Sequence, residues 1–162
     1  MSLSSYSTAT LVGRTVAAFL VGAAMLVTVT DARQANAQET AKSAVASAAT
    51  SAAARGQYLV EGVAMCGTCH TPRLANGQLD RSKWLAGAPV PYQPSQPTAN
   101  WPTVAPRLAG LPPTSVNGMV TLLTTGIWID GTQLRDPMPK FHMSKADAEA
   151  VVAYLKTLTP QR

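Results

Sequence analysis

Both cysteines of this chain, and one of its two histidines, fall within five consecutive residues, Cys66-Gly67-Thr68-Cys69-His70, inside the stretch AMCGTCHTPR. Two thiols three positions apart with an imidazole directly behind them admit few arrangements. They form a disulfide, hold a metal, or bind a cofactor covalently, and each option asks for a different fold around it.

A redox-active C-x-x-C pair of the thioredoxin type needs a βαβ setting. The preceding residues, ARGQYLVEGVAM, instead place Leu59, Val60, Val63 and Ala64 at helical spacing, and no Val-rich strand leads into the pair. A structural zinc wants four ligands. Cys66, Cys69, His70 and the distant His142 are the only Cys and His candidates, and the adjacent Cys69 and His70 are poorly suited to one tetrahedral ion. C-x-x-C-H is the attachment motif of c-type haem. Two thiols at the end of a helix each form a thioether with one of the porphyrin's vinyl groups, and the next residue presents imidazole to the iron. The cysteines therefore read as anchors for one haem c per chain, with His70 as proximal ligand.

The start of the chain fits an exported protein, where such chemistry belongs. Residues 1–14 contain a single charged side chain, Arg14, and an uncharged run follows from Thr15 to Thr30. Ala35-Asn36-Ala37 has the small-x-small form of a signal-peptidase site, so residues 1–37 read as a signal peptide cleaved after Ala37. The apolar run is about 15 residues, short of the roughly 20 a bilayer core needs. Membrane association is expected only if this segment stays uncleaved. Residues 38–54 are Ala/Ser-rich without a large apolar face and read as a tether rather than a weak, exposed helix, which leaves a folded domain over 55–160. From Gln38 onward, 11 Lys and Arg stand against 7 Asp and Glu, with no basic run or aromatic-studded stripe. Nucleic acid is not the expected partner.

Downstream, RDPMPKFHMSKADAEAVVAYLKTLTP carries the remaining signal. Ser144 with Asp147 suggests a capping box. Ala148, Val151, Val152, Leu155 and Leu158 predict a helix over about 145–158, closed by Pro160. Pro137-Met138-Pro139 is held extended by its prolines, and a methionine so fixed can offer its thioether to iron. Met143 is the competing sulfur, and His142 a more distant alternative. TSVNGMVTLLTTGIWIDG puts Val116, Met119, Val120 and Leu123 on one face, with Thr114 or Ser115 as cap and Gly126 as stop.

MCGTCH, DPMPKF and ADAEAVVAYLKTL together resemble the class I c-type cytochromes, above all those serving bacterial periplasmic dehydrogenases. The resemblance covers about 55–158. It implies an all-α, cytochrome c-like fold of about three to four helices around one covalently bound haem. Its iron ligands carry over to His70 and Met138, with Met143 as the weaker alternative. The close crossing of the family's first and last helices carries over to Gly56, Tyr58 and Tyr154.

Eight prolines between Pro89 and Pro113 exclude a long helix or central strand there. This long Pro-rich loop reads either as a strap over the haem edge, with Tyr92 or Trp101 on the ring or near a propionate, or as a solvent-exposed loop. Arg107 and Arg135 are candidate propionate partners, while Trp84 and Trp128 read as packing. Paired carboxylates, a nucleophile–base set and a phosphate-binding glycine loop are all missing. The expectation is a periplasmic carrier of single electrons, not an enzyme, running between a dehydrogenase and a downstream cytochrome or terminal oxidase. The alternative is a haem protein with an open or labile sixth site that binds peroxide or gases.

Overall fold

The computed structural model describes residues 12–111 and 114–160, with side chains from residue 33 onward. Residues 1–11 of the expected signal peptide lie outside these residues, and side chains are described only for its last five, 33–37. The chain divides into a unit ending at Ala46 and a second, from Ser47, that contains the core. Among the residues whose side chains are described, no helix is long and apolar enough to cross a membrane.

Helix α1 spans Val12–Tyr58. It includes the Ala/Ser-rich segment 38–54, which is helix where a tether was expected. Alanine has the highest helix propensity of any residue, and neither Gly nor Pro interrupts residues 33–55. Side chains 33–51 are all exposed, so backbone propensity rather than burial sustains this stretch.

At Leu59–Val63 the helix widens into a π-turn, with the Ala64 N–H on the Leu59 carbonyl (2.7 Å) and the Cys66 N–H on that of Val60 (3.0 Å). The widening changes which side chains face inward. Leu59 and Val60 are buried, whereas Val63, expected on the same face, is exposed. Met65 then takes a left-handed backbone (φ 48°), which ends the helix, and the single turn α2, Gly67–His70, starts afresh.

A 3₁₀ turn at Arg81–Lys83 precedes β1, Ala88–Pro89, which pairs antiparallel with β2, Val104–Ala105. β1 opens the Pro-rich segment 89–113 and β2 lies within it. Helix α3, Val116–Thr125, is capped by the Ser115 hydroxyl accepting from the Gly118 N–H, and it stops at left-handed Gly126. Gly118 has a packing reason to lack a side chain: a Cβ there would lie 2.6 Å from Ile129 and 2.7 Å from the Thr114 hydroxyl. Helix α4, Lys145–Thr157, is capped by Ser144 accepting from the Asp147 N–H. The reciprocal half of the expected capping box does not form. The Asp147 carboxylate turns instead to Arg55 Nε, 3.0 Å away on α1.

The core joins Leu59, Val60, Leu85 and Leu108 to Met119, Leu122 and Leu123 of α3 and Val151, Val152 and Leu155 of α4. Each such side chain contributes roughly 1.5–3 kcal/mol when fully buried. α1 and α4 meet at Gly56, where a Cβ would fall 1.9 Å from the Ala150 carbonyl oxygen and 2.8 Å from Tyr154 Cβ. Gly56 and Tyr154 thus form the expected crossing. Tyr58 does not: it is exposed, with Arg55 stacked 5.5 Å from its ring centroid. Gln57 and Tyr58, one and two positions past the contacting glycine, both face outward, and the inward face returns at Leu59 and Val60.

Candidate functional site

The motif turn is fixed from several directions. The His70 N–H bonds the Cys66 carbonyl and the Thr71 N–H that of Gly67. The His70 carbonyl accepts from Gly87 N–H at 2.9 Å, and the Thr71 hydroxyl accepts from the Leu85 N–H at 3.0 Å. His70 is only 4 % exposed. Its Nδ1 lies 2.7 Å from the Pro106 carbonyl oxygen. A carbonyl only accepts, so Nδ1 carries the proton and Nε2 keeps its lone pair free for a metal. Burial pushes the His70 pKa down, against the opposing effect of that hydrogen bond, and so favours the neutral imidazole that coordination requires.

Cys66 and Cys69 are free thiols. Burial pushes the Cys66 thiol up to about 11 and also raises Cys69, with Arg73 opposing the second shift. Neither has the depressed pKa of an exchange-active thiolate, and no disulfide joins them. Among the described residues no cluster of His, Cys, Asp or Glu is arranged to hold a bare metal ion.

Both cysteines and His70 open onto a cavity of about 470 Å³. That is within the range of cofactor pockets, ~300–1,000 Å³. Leu108, Leu122, Leu123, Trp128, Phe141 and Leu155 supply much of its apolar lining. Met138 and Arg135 also line it, so the motif and the Met loop, some seventy residues apart in sequence, share one space. Two thiols, a neutral imidazole with Nε2 free, a thioether and an apolar wall are the donor set a c-type haem needs, and the residues present fit that group.

The other candidates divide. Met143 is absent from the cavity wall; it packs against the core, and its N–H bonds the Leu123 carbonyl at 3.0 Å. His142 is exposed. Arg135 reaches the Asn100 carbonyl at 3.3 Å while lining the cavity. Arg107 does not line it, because its guanidinium is turned onto the Ala109 carbonyl. The strap covers the cavity through Pro102, Val104, Ala105 and Pro106. Its aromatics do not take part: Tyr92 is 47 % exposed, and Trp101 Nε1 donates to the Tyr92 carbonyl at 3.2 Å.

Trp128 was read only as packing, yet it faces the cavity. The Ile127–Gln133 bridge and the Trp128 N–H on Thr132 O (2.7 Å) make a small hairpin. Alternation along it turns Ile127 and Ile129 outward and Trp128 inward. The period-two pattern in GIWIDG was the available signal.

Comparison with known proteins agrees with this site. Residues 53–159 match the family model for cytochrome c. The chain is 36 % identical over 107 residues to a diheme cytochrome c-type protein of Cereibacter sphaeroides, covering 63 % of this chain and 34 % of that one. It is 34 % identical over 116 residues to the cytochrome c subunit of alcohol dehydrogenase (quinone) from Gluconobacter oxydans, covering 65 % and 23 %. The corresponding subunit of Gluconacetobacter polyoxogenes is 34 % identical over 118 residues, covering 66 % and 24 %. The chain thus spans about a quarter to a third of the length of these relatives. With this match, the all-α architecture and the single C-x-x-C-H turn on a cofactor-sized cavity, the chain belongs to the cytochrome c family and carries one haem c bound covalently through Cys66 and Cys69.

Proposed function

We propose that this protein carries single electrons in the bacterial periplasm on a haem ligated by His70 and Met138, accepting them from a dehydrogenase and passing them to a cytochrome or terminal oxidase. The observation that carries the reading is that Met138, braced between Pro137 and Pro139, lines the same cavity as Cys66, Cys69 and His70. Met65 and Met119 also touch that cavity, but Met65 adjoins the anchoring Cys66 and Met119 lies on the core face of α3 beside Leu122 and Leu123. The quinone-dependent alcohol dehydrogenase subunits among the relatives support a dehydrogenase as donor.

When bound, the haem supplies a ferrous–ferric couple. The chain supplies its setting. Pro106 holds the His70 ring in one tautomer, so the donor nitrogen is the same in both oxidation states. The Met138 thioether is a soft, neutral donor and favours the reduced state, raising the potential. Leu122, Leu123, Phe141 and Leu155 exclude water and disfavour added charge. Arg135 brings a guanidinium to the cavity wall, suited to a propionate.

Absorption spectra of oxidised and dithionite-reduced protein, with a pyridine haemochrome, test the reading. One c-type haem per chain and a far-red ferric band from sulfur on iron are expected. A high-spin ferric spectrum without that band overturns Met138 ligation and points to an open sixth site.

A further inference from the structure

Outside the cavity, one side chain touches the attachment turn where the sequence left no room for anything else. A Cβ on Gly67, the residue between Cys66 and Thr68, would meet the Trp84 ring at 2.1 and 2.3 Å. Gly67 lies within α2 and has no positive φ, so its backbone does not require glycine. The indole does.

Trp84 is held from outside. The Arg81 guanidinium sits 4.1 Å from its ring centroid. Arg81 Nη1 is 3.4 Å from Glu61 Oε2, and Glu61 Oε1 accepts from the Tyr154 hydroxyl at 2.6 Å and from Gln57 Nε2 at 3.1 Å. This chain of contacts ties the π-turn and α4 to the indole. The residues just after Trp84 then grip the motif: Leu85 N–H on the Thr71 hydroxyl, Gly87 N–H on the His70 carbonyl. Trp84, Arg81 and Glu61 are not among the residues lining the cavity.

We propose that Trp84, clamped by Arg81 and Glu61, is a positioning residue that sets the orientation of the Cys66–His70 turn and thereby of the His70 ligand. The idea rests on the ligation by His70 described above. A displaced indole frees the turn at Gly67 and loosens the backbone bonds that follow it, so the electronic signature of the site moves along with stability.

The test uses the haem-loaded protein and two readouts, midpoint potential and the g-values of the ferric EPR spectrum. Gly67→Ala should shift both, because the indole must move. In a Trp84→Leu background, already shifted, adding Gly67→Ala should produce little further change; Trp84→Phe should restore most of the native values. Val152→Ala in α4, a core change away from the cavity wall, should lower the denaturation midpoint and leave both readouts in place. Independent, additive effects of the Gly67 and Trp84 changes overturn the proposal, as does an equal shift in Val152→Ala at matched stability. Should Trp84→Leu fail to accumulate, Arg81→Ala keeps the indole but removes its cover. It must then shift both readouts in the direction of Gly67→Ala, and unchanged values overturn the proposal. A wild-type spectrum without imidazole-ligated haem defeats the ligation reading itself, whatever the coupling.

Discussion

The two walls that meet at the cavity are built differently. The Cys66–His70 turn is tied by successive backbone bonds, by Thr71, by Pro106 and by the Trp84 contact, and His70 is buried. The loop at Arg135–Met138 has the Met138 N–H on the Arg135 carbonyl at 3.1 Å, prolines on both sides, and Arg135 reaching the strap at Asn100. Met138 is half-buried. One wall is over-determined and the other is braced mainly by its own covalent stiffness. Loss of a thiol anchor in the first should therefore cost the cofactor itself, whereas loss of Met138 from the second should leave the cofactor attached and change its ligation.

The largest expected effect tests the first half of that contrast. Cys66→Ser or Cys69→Ser should remove most covalently bound haem, read by haem staining of a denaturing gel, and sharply reduce folded protein. A stable, fully folded Cys66→Ser, Cys69→Ser double variant without haem would break the idea that the cofactor completes the core.

Met138→Ala addresses the other wall. It should leave the haem attached, abolish the far-red sulfur band and lower the potential. Met143→Ala should keep band and potential while costing about 1–2 kcal/mol in denaturant unfolding, below the ~2–5 kcal/mol of a fully buried site. A reversed pattern would move the thioether ligand to Met143.

Gly56→Ala separates stability from ligation. Its methyl has a backbone carbonyl in its path, so α1 and α4 must part, at roughly 1–3 kcal/mol. The absorption spectrum should not change, and a shifted ferric spectrum would mean the crossing also governs the iron.

The smallest effect concerns Glu61. The Tyr154 hydroxyl holds its carboxyl below the usual 4.5, outweighing burial. A group with a lowered folded pKa stabilises above its ordinary titration range and loses that contribution as pH falls through the folded value. The contribution is screened at this partly exposed site and should be under ~1 kcal/mol. Thermal unfolding between pH 6 and 3 should show a shallower acid decline in Glu61→Gln than in the parent; identical slopes would remove Glu61 from the pH response.

What could be read from the sequence follows the reach of each interaction. The C-x-x-C-H turn, the Ser144 cap, the stop at Gly126 and the face of α4 depend on neighbours within a few residues, and sequence spacing conveys them. The Gly56–Tyr154 crossing was reached through family resemblance rather than spacing. Long-range choices were harder. Asp147 had two partners open to it and took Arg55 over the cap. Arg107 and Arg135 look alike in sequence, and only the folded strap distinguishes the one turned to Ala109 from the one on the cavity. Residues 38–54 misled because lack of a large apolar face is evidence against packing, not against helix. The Trp84–Gly67 contact left only a glycine as its trace, in a motif position where many residues are usable.

The place of α4 in the fold gives it two duties. Its Val151 and Leu155 form part of the cavity wall, and Gly56 receives it at Ala150 and Tyr154. The C-terminal helix thus serves two structures at once, the wall of the cavity and the crossing at Gly56.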